Sequence, residues 1–171
     1  MVDNRYILDA STLIDIWFRF PKELKVFNSL WEQIESLVIS KSILVTRRNF
    51  EEVKHKSEEA YNFFNSLDIE VITPNQEILI TTVAIQQELG ITDAEIKNNL
   101  RDGVDEGDLI CIATAKCKGM ILVTEEKRQP VYPGNKGPNP SKYKIPKVCE
   151  MPSVNVKCIN FLDFLDVVKD I

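Results

Sequence analysis

Acidic residues stand beside the ends of apolar runs in four separate segments of this chain. They are Asp9, Glu51 or Glu52, Asp108, and Glu125 or Glu126. Singly, each acid has an ordinary structural explanation, because Asp and Glu are favoured near helix N-termini. Asp9 fits that explanation least, because Ser11 or Thr12 would be the more natural cap of the helix that follows it.

The four acids could do chemistry together if the fold placed them at one edge. Carboxylates that share a low-dielectric cleft repel one another, so such a cluster normally persists only with a counter-charge. A divalent cation with oxygen ligands, Mg²⁺ or Mn²⁺, would supply that charge. Magnesium keeps several of its waters and uses few carboxylates, which suits the hydrolysis of a phosphate ester.

Apolar, β-rich runs alternate with helical patterns, and these elements must position the acids. We predict five strands, at 6–8, 43–45, 69–72, 120–123 and 156–159. Short, nearly all-apolar strands that alternate with helices are typical of a parallel sheet covered by helices on both faces. Ligands bind such sheets at the carboxyl ends of the strands, which is where the acids fall.

Capping signals predict where several helices begin and end. Thr46 is expected to cap a helix that runs on through "RRNFEEVKHKSEEAYNFFNSL", and another helix is expected over 23–37. The sequence "TDAE" at 92–95 is a capping-box pattern, and Asn160 is the predicted cap of the last helix. Gly119 is the predicted end of the helix before the fourth strand.

Composition limits the class of protein and of partner. The chain has 171 residues, which favours one domain over 1–171 with a sizeable core. Its formal net charge is -5, so any nucleic-acid contact must be local. The four cysteines form no C-x-x-C pair, which indicates reduced thiols in a cytoplasmic protein, although a zinc site from two distant pairs is an alternative. No long apolar run is present, so we expect neither a signal peptide nor contact with a membrane.

Four segments resemble the acidic signatures of PIN-domain nucleases: "YILDASTLID", "FEEVKH", "GDLICIATAK" and "ILVTEE". Their order matches that of the family, and together they span nearly the whole chain. The tail "KIPKVCE…VNVKCINFLDFL" further resembles a PIN-like branch catalogued as a domain of unknown function. Glu52 fits the second signature better than Glu51, because apolar Val53 follows it directly.

The resemblance implies a three-layer α/β/α sandwich around a central, mostly parallel five-stranded sheet, with metal-dependent ribonuclease activity. Asp9, Asp108 and Glu126 would hold one or two Mg²⁺ or Mn²⁺ ions, and Glu52 would bind the metal directly or through water. Glu126 stands where the family usually has Asp or Asn, so the fourth signature departs from the pattern by one methylene. The catalytic set that the resemblance implies is Asp9, Glu52, Asp108 and Glu126.

Two hydroxyl residues beside the acids would act through them. Ser11 and Thr124 would donate hydrogen bonds that orient carboxylates, although a helix cap and a strand end explain them equally well. In prokaryotes such domains are commonly the toxin half of a toxin–antitoxin pair. The partners that follow are an RNA substrate, a cognate antitoxin protein and a second copy of the chain in a homodimer.

Residues 127–149 are rich in Pro, Gly, Asn and Lys, and they predict a long basic loop between the last two strands. The segment holds several basic residues and no acid. A positive rim beside an acidic site could hold an RNA backbone through Arg128, Lys136, Lys142 and Lys144. Tyr132 and Tyr143 could stack bases. A solvated loop with ordinary surface lysines is an equally good interpretation.

Two other families also have a first strand followed by acids. A haloacid-dehalogenase-type phosphatase needs a second Asp two residues after the first, where this chain has Ser11. A receiver domain would need paired acids after its first strand and a Lys after its last, and this chain has neither in place. The remaining alternative is a catalytically degenerate PIN-like fold that binds RNA or a partner protein, which the departure at Glu126 favours.

Overall fold

The computed structural model describes residues 4–98, 100–130, 133–134 and 136–169. The strands are β1 (Tyr6–Leu8), β2 (Ile43–Thr46), β3 (Glu70–Ile72), β4 (Ile121–Val123) and β5 (Cys158–Ile159). The helices of the first half are α1 (Ala10–Arg19), α2 (Asn28–Ile39), α3 (Arg47–Lys56) and α4 (Glu58–Ser66). Those of the second half are α5 (Gln76–Glu88), α6 (Asp93–Ile96), α7 (Glu106–Lys118), α8 (Ile145–Cys149) and α9 (Phe161–Val168).

The five strands form one all-parallel sheet in the order β3-β2-β1-β4-β5. The chain therefore adds strands to one side of β1 first and to the other side later, so the order reverses between β1 and β4. In the register of that pair Leu8 lies opposite Val123. The reversal opens a crevice at the carboxyl ends of β1 and β4, where ligands bind in sheets of this kind.

Side chains of the central strands point alternately into two separate cores. Ile7 of β1 packs with α5, α7 and α8, whereas Tyr6 and Leu8 pack with α1, α2, α3, α4 and α9. This alternation is the period of two that an extended strand imposes. The predicted α/β fold, with a parallel five-stranded sheet between two helical layers, is confirmed.

Several element boundaries differ from the prediction. The segment after Thr46 is two helices, because extended Ser57 interrupts it and its side chain accepts a hydrogen bond from the backbone N–H of Ala60. The expected helix over 23–37 begins only at Asn28, after a 3₁₀ turn at Lys25–Phe27. The segment 127–149 contains a 3₁₀ turn at Pro140–Lys142 and then α8.

The predicted caps are present. Thr46 and Asn160 accept the backbone N–H groups of Asn49 and Asp163, respectively, and 92–95 forms its capping box. Gly119 ends α7 in the left-handed region, at φ 63. Within the described residues no helix combines the length and the apolar character that crossing a membrane requires.

Candidate functional site

Asp9 lies at the crevice between β1 and β4. Its backbone N–H donates to the carbonyl of Val123, which continues the pairing of the two strands by one residue. The residue stands at the N-cap position of α1, yet its side chain makes no capping hydrogen bond. Instead, the buried carboxylate accepts hydrogen bonds at Oδ2 from Ser11 Oγ, at 2.6 Å, and from Thr124 Oγ1, at 3.1 Å.

Thr124 joins two acids of the predicted set. Its buried hydroxyl donates to Asp9 and accepts the backbone N–H of Glu126 at 3.1 Å. The hydroxyl therefore links the carboxyl end of β1 to the segment that follows β4. Both hydroxyl residues predicted to orient carboxylates make direct hydrogen bonds to Asp9.

Asp108 lies in the first turn of α7 and is part of a capping box. Its Oδ2 accepts the backbone N–H of Asp105 at 2.9 Å, and Asp105 Oδ1 accepts the N–H of Asp108 at 2.8 Å. The structural explanation of this acid therefore holds. Burial raises the pKa of Asp108 well above its ordinary value, and the carboxylates of Asp9, Asp105 and Glu126 raise it further.

Glu126 and Glu52 complete the group of acids. Burial raises the pKa of Glu126. The backbone N–H of Ile145, the first residue of α8, donates to this carboxylate at 2.8 Å and lowers the pKa by a smaller amount. Asp9 raises the same pKa further. Burial, then the charge of Asp9, raises the pKa of Glu52 on α3. The charge of Asp9 thus raises the pKa of Glu52, Asp108 and Glu126, and we call these four acids the acidic cluster.

The neighbouring glutamates lie elsewhere. Glu125 accepts the backbone N–H of Phe161 at 2.9 Å, so it caps α9, and its other oxygen pairs with Arg19 at 3.2 Å. Glu51 is exposed on α3. Of each adjacent pair, the second glutamate is therefore the one that reaches the acidic cluster.

Asp105 is a fifth acid of this region that the sequence analysis missed. Its charge raises the pKa of all four members of the acidic cluster. The capping-box pattern of Asp105 and Asp108 was visible in the sequence, but that pattern predicts a helix start and not a site. Burial is the larger cause of the raised pKa of Asp9, and Asp105 adds to it.

Asn49 is a second residue that the sequence analysis missed. It is buried on α3, and the oxygen of its amide has no hydrogen-bond partner in the described structure. Gly107 lies beside it on α7, where a Cβ atom would come within 3.3 Å of Asp105 Oδ1 and 3.5 Å of Asn49 Oδ1. No sequence signal distinguished this asparagine from a polar residue on a helix surface.

The donor atoms of the region are those that hard divalent cations prefer. They are carboxylate oxygens and one unpaired amide oxygen, so the residues present fit Mg²⁺ or Mn²⁺ by chemistry. Among the described residues, no group of three or more His, Cys, Asp and Glu side chains is arranged to hold a metal ion. At neutral pH the charges of the acidic cluster need protons or a cation to balance them.

The basic segment 127–149 packs beside this region. Gln129 ties it together by donating to the carbonyl of Lys142 at 3.0 Å and accepting the N–H of Lys144 at 2.9 Å. The charge of Lys144 lowers the pKa of Glu126, whereas Arg128 pairs with Glu150 at 3.1 Å.

The other members of the predicted RNA-binding set differ in placement. Lys136 is exposed, and Tyr143 is half-buried against the core, with Lys147 over its ring. Tyr132 lies outside the described residues. The placement leaves the predicted RNA contacts of Arg128, Lys136, Lys142 and Lys144 as predictions.

A cleft of about 590 Å³ opens beside Glu52 of the acidic cluster. It is lined by Arg48, Glu51, Glu52, His55, Lys56, Asp105 and Gly107. The charges of Lys56 and Arg48 lower the pKa of Glu52, against the effects of burial and of its acidic neighbours. Basic side chains therefore flank the acidic cluster on α3 as well as on the segment 127–149.

Comparisons with known proteins relate the chain to a family and to a fold. The family model described as "Domain of unknown function (DUF4411)" matches residues 6–169. The crystal structure of PAE2754 from Pyrobaculum aerophilum is similar, with a TM-score of 0.54, 12% identity and 98% of each chain covered. At that identity the likeness concerns the fold alone. A comparison with curated proteins found no match.

Proposed function

Because the chain belongs to the family described as Domain of unknown function (DUF4411), we propose its function from the site itself: a metal-dependent endoribonuclease of PIN-like type. One observation carries the proposal. The charge of buried Asp9, at the crevice where the strand order reverses, raises the pKa of Glu52, Asp108 and Glu126, which come from three other segments. Clustering of like charges is unfavourable for stability alone, which supports a functional role.

Within this proposal, Asp9, Asp108 and Glu126 would hold one or two Mg²⁺ or Mn²⁺ ions, with Glu52 in direct or water-mediated contact. When bound, such an ion lowers the pKa of a coordinated water and stabilises charge on a phosphate ester. Ser11 and Thr124 keep Asp9 Oδ2 in place by donating to it.

The chain's cations would bind the substrate. Arg48 and Lys56 line the cleft beside Glu52, and Lys144 of the segment 127–149 acts on the pKa of Glu126. Phosphates of a single RNA strand attract such charges irrespective of sequence, and this local attraction is compatible with a net charge of -5. We extend the proposal to the toxin half of a toxin–antitoxin pair, with a small antitoxin protein as the partner.

Cleavage of RNA by the purified chain tests the activity. Single-stranded or looped RNA should be cut with Mg²⁺ or Mn²⁺ and left intact with EDTA. Asp9→Asn and Asp108→Asn should each lower the rate by about two orders of magnitude or more, because each removes a charged ligand. Glu51→Gln is the matched control, since that exposed acid lies next to Glu52 and should cut at the wild-type rate. Full activity of Asp9→Asn would show that another site, or a contaminant, does the cutting.

The alternative function is a catalytically degenerate fold that binds RNA or a partner protein. The position of Glu126 favours it, because this side chain already accepts the first N–H of α8 and is longer than the usual family residue. A chain of this kind would bind RNA without cutting it under any metal condition. Glu126→Gln would then leave RNA affinity unchanged.

A further inference from the structure

The buried amide oxygen of Asn49 has no structural role that the described residues explain. The side chain is 1% exposed, and Oδ1 has no hydrogen-bond partner among the described residues, whereas the amide N–H faces the thiol of Cys111. Buried polar groups in native proteins are nearly always hydrogen-bonded, and an exception needs an explanation. Gln86, a second buried amide, follows the rule by donating to the carbonyl of Ile91 at 3.2 Å and to Asp93 Oδ1 at 2.9 Å.

The position of Asn49 is fixed by the start of α3. Its backbone N–H donates to Thr46 Oγ1 at 3.2 Å, so the residue belongs to the first turn of the helix. Glu52 follows three residues later, which places the two side chains on the same face of α3. That face is the one from which Glu52 reaches the acidic cluster.

The amide oxygen lies against the first turn of α7. A Cβ atom on Gly107 would meet both Asn49 Oδ1 and Asp105 Oδ1, so the two oxygens approach the same small residue. Glycine at this position leaves room for α3 to bring the amide close to α7. A Cβ atom would touch Asn49 Oδ1 at an ordinary contact distance of 3.5 Å, but Arg48 Cγ, at 3.2 Å, and Asp105 Oδ1, at 3.3 Å, would have to move slightly.

The thiol of Cys111 shows that the amide shares its surroundings with the acids. Burial, then the charges of Asp9 and Asp108, raises the pKa of Cys111, while a hydrogen bond from the Asn49 side chain to the thiol lowers it. One buried sulfur is therefore close to two members of the acidic cluster and to the amide. The amide oxygen lies beside the first turn of α7, the turn that carries Asp105 at its cap and Asp108.

We propose that Asn49 is a neutral oxygen ligand of the divalent cation at the acidic cluster, an inference that rests on the proposed function. Carbonyl oxygens of Asn are ordinary ligands of hard cations, whereas the neighbouring thiol of Cys111 is not. A neutral donor adds to the coordination without adding to the repulsion among the acids. Mg²⁺ sites use few carboxylates and keep several waters, so one amide is compatible with such a site.

Binding of Mn²⁺ alone, measured by titration calorimetry on the full chain, tests the proposal. Asn49→Leu should raise the dissociation constant for Mn²⁺ by about tenfold or more. Its unfolding midpoint in EDTA should equal or exceed that of the wild type, because the variant removes an unsatisfied polar group. Gln86→Leu is the control: it should lower the midpoint in EDTA, since it breaks satisfied hydrogen bonds, and leave Mn²⁺ affinity unchanged.

Two further variants distinguish the loss of a metal ligand from a general disturbance of the fold. Asn49→Ala should weaken Mn²⁺ binding as Asn49→Leu does, and Asn49→Asp, which keeps an oxygen donor, should bind Mn²⁺ at least as tightly as the wild type. Wild-type affinity in the Leu and Ala variants overturns the inference and leaves the proposed function standing. Weakened binding in Asn49→Asp as well shows a purely structural role and also overturns it. No Mn²⁺ binding by the wild type overturns both proposals.

Discussion

Replacing Thr124 with valine removes one hydroxyl that joins two acids and changes little else. The side chain is buried, and valine has nearly the same shape. The hydroxyl donates to Asp9 Oδ2 and accepts the backbone N–H of Glu126, and both distances are 3.1 Å. The backbone N–H of Thr124 bonds to the carbonyl of Ile159 at 3.0 Å, which valine retains.

The expected loss of stability follows from these two hydrogen bonds. A hydrogen bond to a charged group contributes about 1.5–3 kcal/mol, and a neutral bond contributes about 1 kcal/mol. The added methyl group of valine offsets about 0.8 kcal/mol by its burial. We therefore expect the free energy of unfolding to fall by about 2–3 kcal/mol at pH 7 in EDTA.

Thr114→Val is the matched control, because Thr114 is equally buried but serves no acid. Its hydroxyl donates to the carbonyl of Ile110 at 2.7 Å, one turn back along α7, and the helix backbone already uses that carbonyl. We expect a loss below about 1 kcal/mol there. Urea unfolding, followed by tryptophan fluorescence and circular dichroism, measures both variants. Equal losses in the two variants would refute the claim that the Thr124 hydroxyl stabilises the charged carboxylate.

Three further predictions concern pH, metal and RNA. In EDTA, the free energy of unfolding should fall as pH rises from about 4 towards neutrality, because folding raises the pKa of the buried acids and the folded chain then binds more protons than the unfolded one. Asp9→Asn should flatten that decline, and stability that rises over this range would contradict it. Saturating Mn²⁺ should stabilise the wild type, by about 2.7 kcal/mol at one hundred times the dissociation constant, and should stabilise Asp9→Asn less; equal rises of the melting temperature would indicate non-specific ion effects. Replacing Lys136, Lys142 and Lys144 with Ala should flatten the slope of log RNA affinity against log salt concentration by roughly 0.7 per lost phosphate contact. An unchanged slope would show that the segment 127–149 has another role.

The layered fold could be predicted because it depends on local patterns. Apolar strands of three to four residues, separated by helices with recognisable caps, suffice to predict a parallel sheet with two helical layers. The same patterns place Asp9 and Asp108 at strand and helix ends on one edge. These patterns did not give the length of the helix after Thr46. That helix ends at Ser57, whose side chain caps the start of the next helix.

Which acids meet was decided by tertiary structure. Along the chain Glu51 and Glu52 are equivalent, as are Glu125 and Glu126, and only the orientation of each backbone segment towards its neighbours separates them. Both glutamates of α3 are exposed, but packing of α3 against α7 brings Glu52 close enough to Asp9 for that charge to raise its pKa.

The roles of Asp105 and Asn49 depended on tertiary structure still more. A capping box reads the same whether it faces water or a cluster of acids, so Asp105 carried no signal beyond its helix start. In the sequence, Asn49 cannot be told from a surface residue of a charged helix. Only the tertiary structure shows that it is buried beside Gly107 of α7. Sequence periodicity records which face of a helix is apolar, whereas the meeting of polar atoms from separate helices depends on how closely those helices pack.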